Sequence, residues 1–139
     1  VEMTAHNAKQ NGLAVEAVEA DVFDFLTELD KKKDHSYDYI VLDPPAFTKS
    51  GKTVHEAFRG YKEINYRAMK ILPRGGYLAT CSCSHFMGEE LFVKMVKEAA
   101  RDAGVTLRQI EFRQQAPDHP ILMTVPETYY LKFFLFQIV

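Results

Sequence analysis

YDYIVLDPPAF, residues 37–47, is a short apolar run that ends on an aspartate and two prolines. From Tyr39 to Leu42 its aromatic and aliphatic residues run without a polar one between them and predict a strand buried on both faces. Pro44 and Pro45 have no amide proton and a fixed φ, so neither can continue a ladder and the strand must end at Asp43. A carboxylate there is costly without a partner. In open α/β sheets, groups beyond the carboxyl ends of strands are also where ligands bind.

Working outward, the Gly-containing loop TKSGKT leads to a helix predicted over 54–72, the turn PRGG and a second strand, GYLATCSCS. Leu91, Phe92, Met95, Val96 and Ala99 have helical spacing within Glu89–Ala103, which Gly104 stops. Two more strands, TLRQIEFRQ and YYLKFFLFQIV, complete the chain. Upstream, residues 2–11 read as a helix end closed by Gly12, AVEAVEAD (14–21) alternates as a short strand, and DFLTEL continues as a helix. Helices set between apolar strands predict an α/β fold with a mostly parallel sheet and helices on both faces. The strand ends at Asp21, Asp43 and Cys83 are then the places to look for chemistry.

With 139 residues, 47% of them hydrophobic, the chain can bury one domain's core, here spanning 1–139. No run approaches the ~20 apolar residues of a membrane span. VEMTAHNAKQ has neither the basic start nor the apolar centre of a signal peptide, so a cytoplasmic protein without a membrane partner is expected. Its two cysteines, Cys81 and Cys83, should then be reduced, and a bridge between i and i+2 would strain the backbone. Cys81, Cys83 and His85 alternate and share a strand face. Side chains at i and i+2 lie ~6.6 Å apart, whereas two thiolates on one zinc are at most ~4.6 Å apart. No metal site is expected.

The net charge of −2 conceals an asymmetry: residues 49–74 hold seven basic and two acidic residues, a net +5, leaving −7 elsewhere. A basic patch on an acidic domain suits a phosphate-bearing partner, although a solvated lysine-rich helix face has the same composition.

VLDPPAF after a strand, RGYKEIN in the next helix, the LPRGG turn, SCS at the next strand end, FRQQAPDHP and PETYYLKFF together resemble S-adenosylmethionine-dependent rRNA methyltransferases. More narrowly, they resemble the bacterial large-subunit rRNA (cytosine-C5) methyltransferase family, and the likeness runs through nearly the whole chain. It implies a Rossmann-like methyltransferase fold lacking its first two strands, with this chain as the C-terminal part of a single domain. The strand and Gly-rich turn that hold the methionine end of S-adenosyl-L-methionine, and the acid that holds its ribose, would lie upstream. The chain alone would then bind the cofactor weakly and be inactive, and the edge left on YDYIVLD would favour self-association unless residues 1–30 pack differently from the family pattern.

The resemblance also assigns residues. Asp21 would hydrogen-bond the adenine amino group with Val22 against the ring, an exposed loop aspartate being the alternative. Asp43 and Pro44 would face both the transferable methyl and the base. In DPPAF, Ala46 stands where amino-group methyltransferases carry a stacking aromatic, and Phe47 comes one residue late. Cys83 takes the nucleophile position of SCS, and Cys81 that of a core residue. Apart from the resemblance, Pro45, Phe47, Lys49, Arg59, Tyr61, Lys62 and Asn65, on the turn, loop and helix after Asp43, are candidates for holding RNA phosphates and stacking a base, a polar outer helix face being the alternative for those on the helix. His119 could shape the target pocket or simply cap its loop.

A thiol makes chemical sense here. C5 of cytosine is a poor nucleophile until a thiolate adds at C6 and turns C5 into an enamine carbon able to attack the methylsulfonium. A base then removes the C5 proton and the thiolate leaves; the cytosine must be out of its stack. Two rivals stay open: an amino-group N-methyltransferase using Asp43 and the proline turn, and a non-catalytic RNA-binding domain in which both cysteines are core.

Overall fold

The computed structural model describes residues 1–48 and 50–139. In chain order these form α1 (Glu2–Gln10), α2 (Val22–Lys32), β1 (Tyr39–Leu42), a 3-10 turn (Gly51–Thr53), α3 (Val54–Ile71), β2 (Tyr77–Ser82) and α4 (Glu89–Ala103). β3 (Leu107–Arg113), a second 3-10 turn (Pro126–Thr128) and β4 (Lys132–Ile138) follow.

One four-stranded sheet has the order β1-β2-β4-β3. β1 and β2 are parallel, with Leu42 opposite Thr80. β4 runs antiparallel to both β2 and β3, so three strands point one way and the fourth is inserted against them. The final apolar run is therefore the one that makes the sheet mixed. A bulge between Gln109 and Glu111 leaves Ile110 without a partner and 47% exposed.

Registry sorts the sheet residues into two faces. Leu42, Leu78, Thr80, Ser82, Lys132, Phe134, Phe136 and Ile138 lie on one, and are buried beneath α2, α3 and α4. Leu26 and Leu29 of α2, Ile64 and Met69 of α3, and Phe92 and Met95 of α4 complete this core. On the opposite face Tyr39 and Val41 remain 49% and 61% exposed. The helices packed on this sheet thus lie on one face rather than on both.

α3 and α4 form as their sequence spacing predicts, and α4 stops at Gly104, whose φ of 71° is left-handed backbone that glycine adopts without steric cost. The alternating stretch 14–21 is not a strand. It runs irregularly into α2, with Val15 and Val18 at least half exposed, because it finds no ladder partner among the described residues and alternation alone supplies no hydrogen bonds.

Candidate active site

The site is built where β1 and β2 end side by side. Asp43, Pro44 and Pro45 leave β1 and, with Phe47, form one wall of a cleft of about 550 Å³; Ala20, Asp21, Val22 and Phe23 form the other. The sequence-predicted groups at Asp21 and Asp43, distant in the chain, therefore meet in one place.

Asp21 holds its position as the N-cap of α2, not as a strand end. Its Oδ1 accepts from the amides of Phe23 (2.8 Å) and Asp24 (3.2 Å), satisfying two of the donors that a helix start leaves over. Oδ2 has no partner among the described residues, so one oxygen is committed to the fold and the other is open. Exposed Val22 supplies apolar surface beside it.

Phe47 is half-buried, its ring edge-on to Tyr61 at 4.6 Å between centroids and tilted to Phe23 at 6.3 Å. It packs on the backbone of Gly60: a Cβ there would lie 3.4 Å from the ring. Phe47 is thus a wall of the cleft with one face fixed by α3.

The loops after β1 and β2 are tied to each other. Ser84 Oγ donates to the Thr48 carbonyl at 3.2 Å, and Ser82 Oγ donates to the Tyr61 hydroxyl at 3.0 Å. Burial pushes the Tyr61 hydroxyl above its usual pKa, partly countered by the Ser82 contact.

The two cysteines separate by environment. Cys81 is buried in β2, and burial first, then the Asp43 carboxylate and Cys83, push its thiol up to about 11. At neutral pH it is protonated and inert. Cys83, one residue past the end of β2, is exposed and free. Asp43 and Cys83 both act electrostatically on Tyr61 and Cys81, which puts the carboxylate and the exposed thiol in one neighbourhood.

Other expected residues are elsewhere or otherwise engaged. Tyr61 and Asn65 are fully buried, one turn apart on the sheet-facing side of α3, and Asn65 Nδ2 donates to the Tyr61 carbonyl at 2.8 Å. Neither can hold a phosphate or stack a base. Lys62 pairs with Asp102 (2.7 Å) and Glu98 (3.4 Å) of α4, which raises its pKa and neutralises part of the basic segment. Arg67 is likewise taken up by Glu63. Arg59 is exposed. His119 is exposed, 3.2 Å from Asp118 and edge-on to Tyr130. Lys49 lies outside the described residues. No cluster of three metal-ligating side chains occurs among the described residues, and no described helix is long and apolar enough to cross a membrane.

Sequence reading missed Lys132. It is 1% exposed, opposite Ser82, with Nζ donating to the carbonyls of Ser84 (2.5 Å) and Tyr130 (2.7 Å). The signal was its parity: in YYLKFFLFQIV it alternates with Phe134, Phe136 and Ile138, all of which face the core.

The fold is that of S-adenosylmethionine-dependent methyltransferases. A candidate methyltransferase solved with SAH superposes with a TM-score of 0.80 over 98% of this chain and 36% of its own, at 19% identity. A candidate SAM-dependent methyltransferase from Streptococcus mutans gives 0.81 over 98% and 35%, at 20% identity.

Sequence likeness is narrower. The chain is 44% identical over 135 residues to ribosomal RNA large subunit methyltransferase I of Aeromonas salmonicida, covering 95% of this chain and 34% of that protein. It is 46% identical over 130 residues to the Shewanella amazonensis protein of the same name (91% and 33%) and 41% over 137 residues to that of Klebsiella pneumoniae (96% and 34%). The chain thus spans about a third of the length of these curated relatives. No family model matches it.

Proposed function

We propose that this chain is the C-terminal part of the catalytic domain of an S-adenosylmethionine-dependent methyltransferase acting on cytosine C5 in large-subunit rRNA, with Cys83 as nucleophile. The observation that carries the reading is the pairing of an exposed thiol at the end of β2 with the Asp21–Asp43 cleft at the end of β1. The names of its relatives support the RNA substrate and the methyl transfer.

The residues present fit the cofactor. Asp21 Oδ2 is free to accept from an adenine amino group, Val22 offers apolar surface to the ring, and Asp43 and Pro44 line the same cleft. When bound, S-adenosylmethionine supplies an electrophilic methyl. The chain's own part is to form the Cys83 sulfur bond to C6, which moves the ring electrons to C5, and to release that sulfur once the C5 proton has gone. Cys81, held protonated by burial, takes no part. Pro45, Phe47, Arg59 and His119, with Lys49, remain the candidates for contacting RNA, and Lys62 is the weakest of the set because it is already paired.

RNA carrying 5-fluorocytosine at the target tests this, because fluorine blocks the elimination. A protein containing this chain should form an adduct with it that survives denaturation. Cys83→Ala should abolish trapping and methylation, and Cys81→Ala should keep both. Methylation by Cys83→Ala at a near-normal rate would move the amino-group reading of Asp43-Pro44-Pro45 ahead. RNA binding with neither activity would favour a non-catalytic domain.

The exposed edge of β1 also supports self-association of this chain, because an unpaired apolar strand recruits a partner. Light scattering at rising concentration should show a growing mass; a monodisperse monomer would count against it.

A further inference from the structure

Lys132 is a fully buried lysine with no carboxylate in ion-pairing reach of its ammonium among the described residues. Its Nζ is held by the carbonyls of Ser84 and Tyr130, and one of its three protons has no acceptor among the described residues. A charge in that position is expensive to bury and adds little to the core that a methionine would not. Its contacts bracket the free thiol along the chain. Ser84, whose carbonyl it grips, directly follows Cys83, and Ser82, which it opposes across the β2–β4 ladder, directly precedes it.

We propose that Lys132 is the positioning residue for Cys83: its ammonium, fixed by the carbonyls of Ser84 and Tyr130, is the counter-charge that favours the Cys83 thiolate and holds the turn that presents it. The proposal rests on Cys83 being the nucleophile and deepens that reading.

The other ionisable groups around Cys83 work in the opposite direction. Asp43 follows β1, Tyr61 comes from α3 and Cys81 from β2; each is an acid whose ionised form would repel a thiolate. Lys132, from β4, is the cation that balances them. Burial lowers its pKa to about 8, so it is still largely protonated at neutral pH, and the Cys83 thiolate acts to raise it. That interaction is mutual, since whatever favours the ammonium beside a thiolate favours the thiolate by the same free energy.

The first test uses lysine labelled with carbon-13 at Cε and nuclear magnetic resonance. In Cys83→Ser, an exposed substitution, Lys132 should lose its proton at a lower pH than in the unchanged chain. Superimposable titration curves would overturn the proposal. The second measures iodoacetamide alkylation of Cys83 across pH in a Cys81→Ala background. Adding Lys132→Met should slow alkylation at pH 7 by about tenfold and move the profile to higher pH, which loss of packing alone would not do. An unchanged profile in a folded Lys132→Met chain would overturn it, and if that variant does not fold, the Cys83→Ser titration decides. Failure of 5-fluorocytosine trapping with the Lys132 titration still sensitive to Cys83 would refute the nucleophile reading alone.

Discussion

Ser82 Oγ reaches the Tyr61 hydroxyl at 3.0 Å, joining the last residue of β2 to the middle of α3 beneath the candidate site. Tyr61 is completely buried, edge-on to both Phe47 and Phe92, so this one side chain touches the cleft wall, the strand end and the α4 core. Tyr61→Phe keeps those aromatic contacts and leaves the Ser82 hydroxyl without its acceptor. The expected cost is about 1–2 kcal/mol, read as a lower urea midpoint with an unchanged slope. A change in slope instead would mean that α3 and the sheet no longer unfold together.

Asp21 combines two roles that substitution can separate. Asparagine is as good an N-cap as aspartate, so Asp21→Asn should leave the melting temperature nearly unchanged, whereas Asp21→Ala should cost about 1 kcal/mol. Turning the open Oδ2 into an amide nitrogen sets a donor against a donor, so in a protein containing this chain Asp21→Asn should still lose affinity for S-adenosylhomocysteine by calorimetry. Equal binding by Asp21→Asn and that protein unchanged would remove Asp21 from the cofactor site.

Much of this was legible because the signals were local. The proline pair fixes where β1 ends, Gly104 fixes where α4 ends, and the helical spacing of α3 and α4 decides which faces are buried. The failures were tertiary. Val15 and Val18 alternate as a strand would, yet a strand needs a neighbour that spacing cannot reveal. Tyr61 and Asn65 read as polar candidates on a basic helix, but their one-turn separation turns both inward. Lys62 counted towards a basic patch until α4 brought Glu98 and Asp102 beside it.

Gly60 sits inside α3, where glycine is about 1 kcal/mol worse than alanine. A Cβ would meet the Phe47 ring at 3.4 Å, tight but tolerable if the ring shifts slightly. Gly60→Ala should therefore be neutral or mildly stabilising by thermal melting. Gly60→Val adds two methyl groups towards the same ring and should destabilise by about 1–3 kcal/mol while moving the cleft wall. Stabilisation by valine would show that Phe47 is free to leave α3.

Lys132 and Cys81 give the chain an unusual alkaline stability profile. Lys132 has a folded pKa of about 8 against 10.5 for the free group, so between those values the unfolded chain holds more protons and stability rises with pH. Cys81 is opposite in sign. Its folded pKa of about 11 exceeds the free value of 9.0, so the unfolded chain loses that proton first and stability falls above 9. Urea unfolding under reducing conditions should then show a gain of somewhat less than about 1 kcal/mol from pH 8 to 9, where Cys81 already offsets part of the Lys132 term, little change from 9 to 10.5 where the two slopes cancel, and a decline beyond. The raised Tyr61 steepens that decline above its free value of 10.0, because its hydroxyl too stays protonated longer in the fold. Cys81→Ala should remove the opposing slope and let stability keep rising past pH 9, and Lys132→Met should abolish the rise from 8 to 9. A flat profile in the unchanged chain would mean that Lys132 is better solvated than its burial implies.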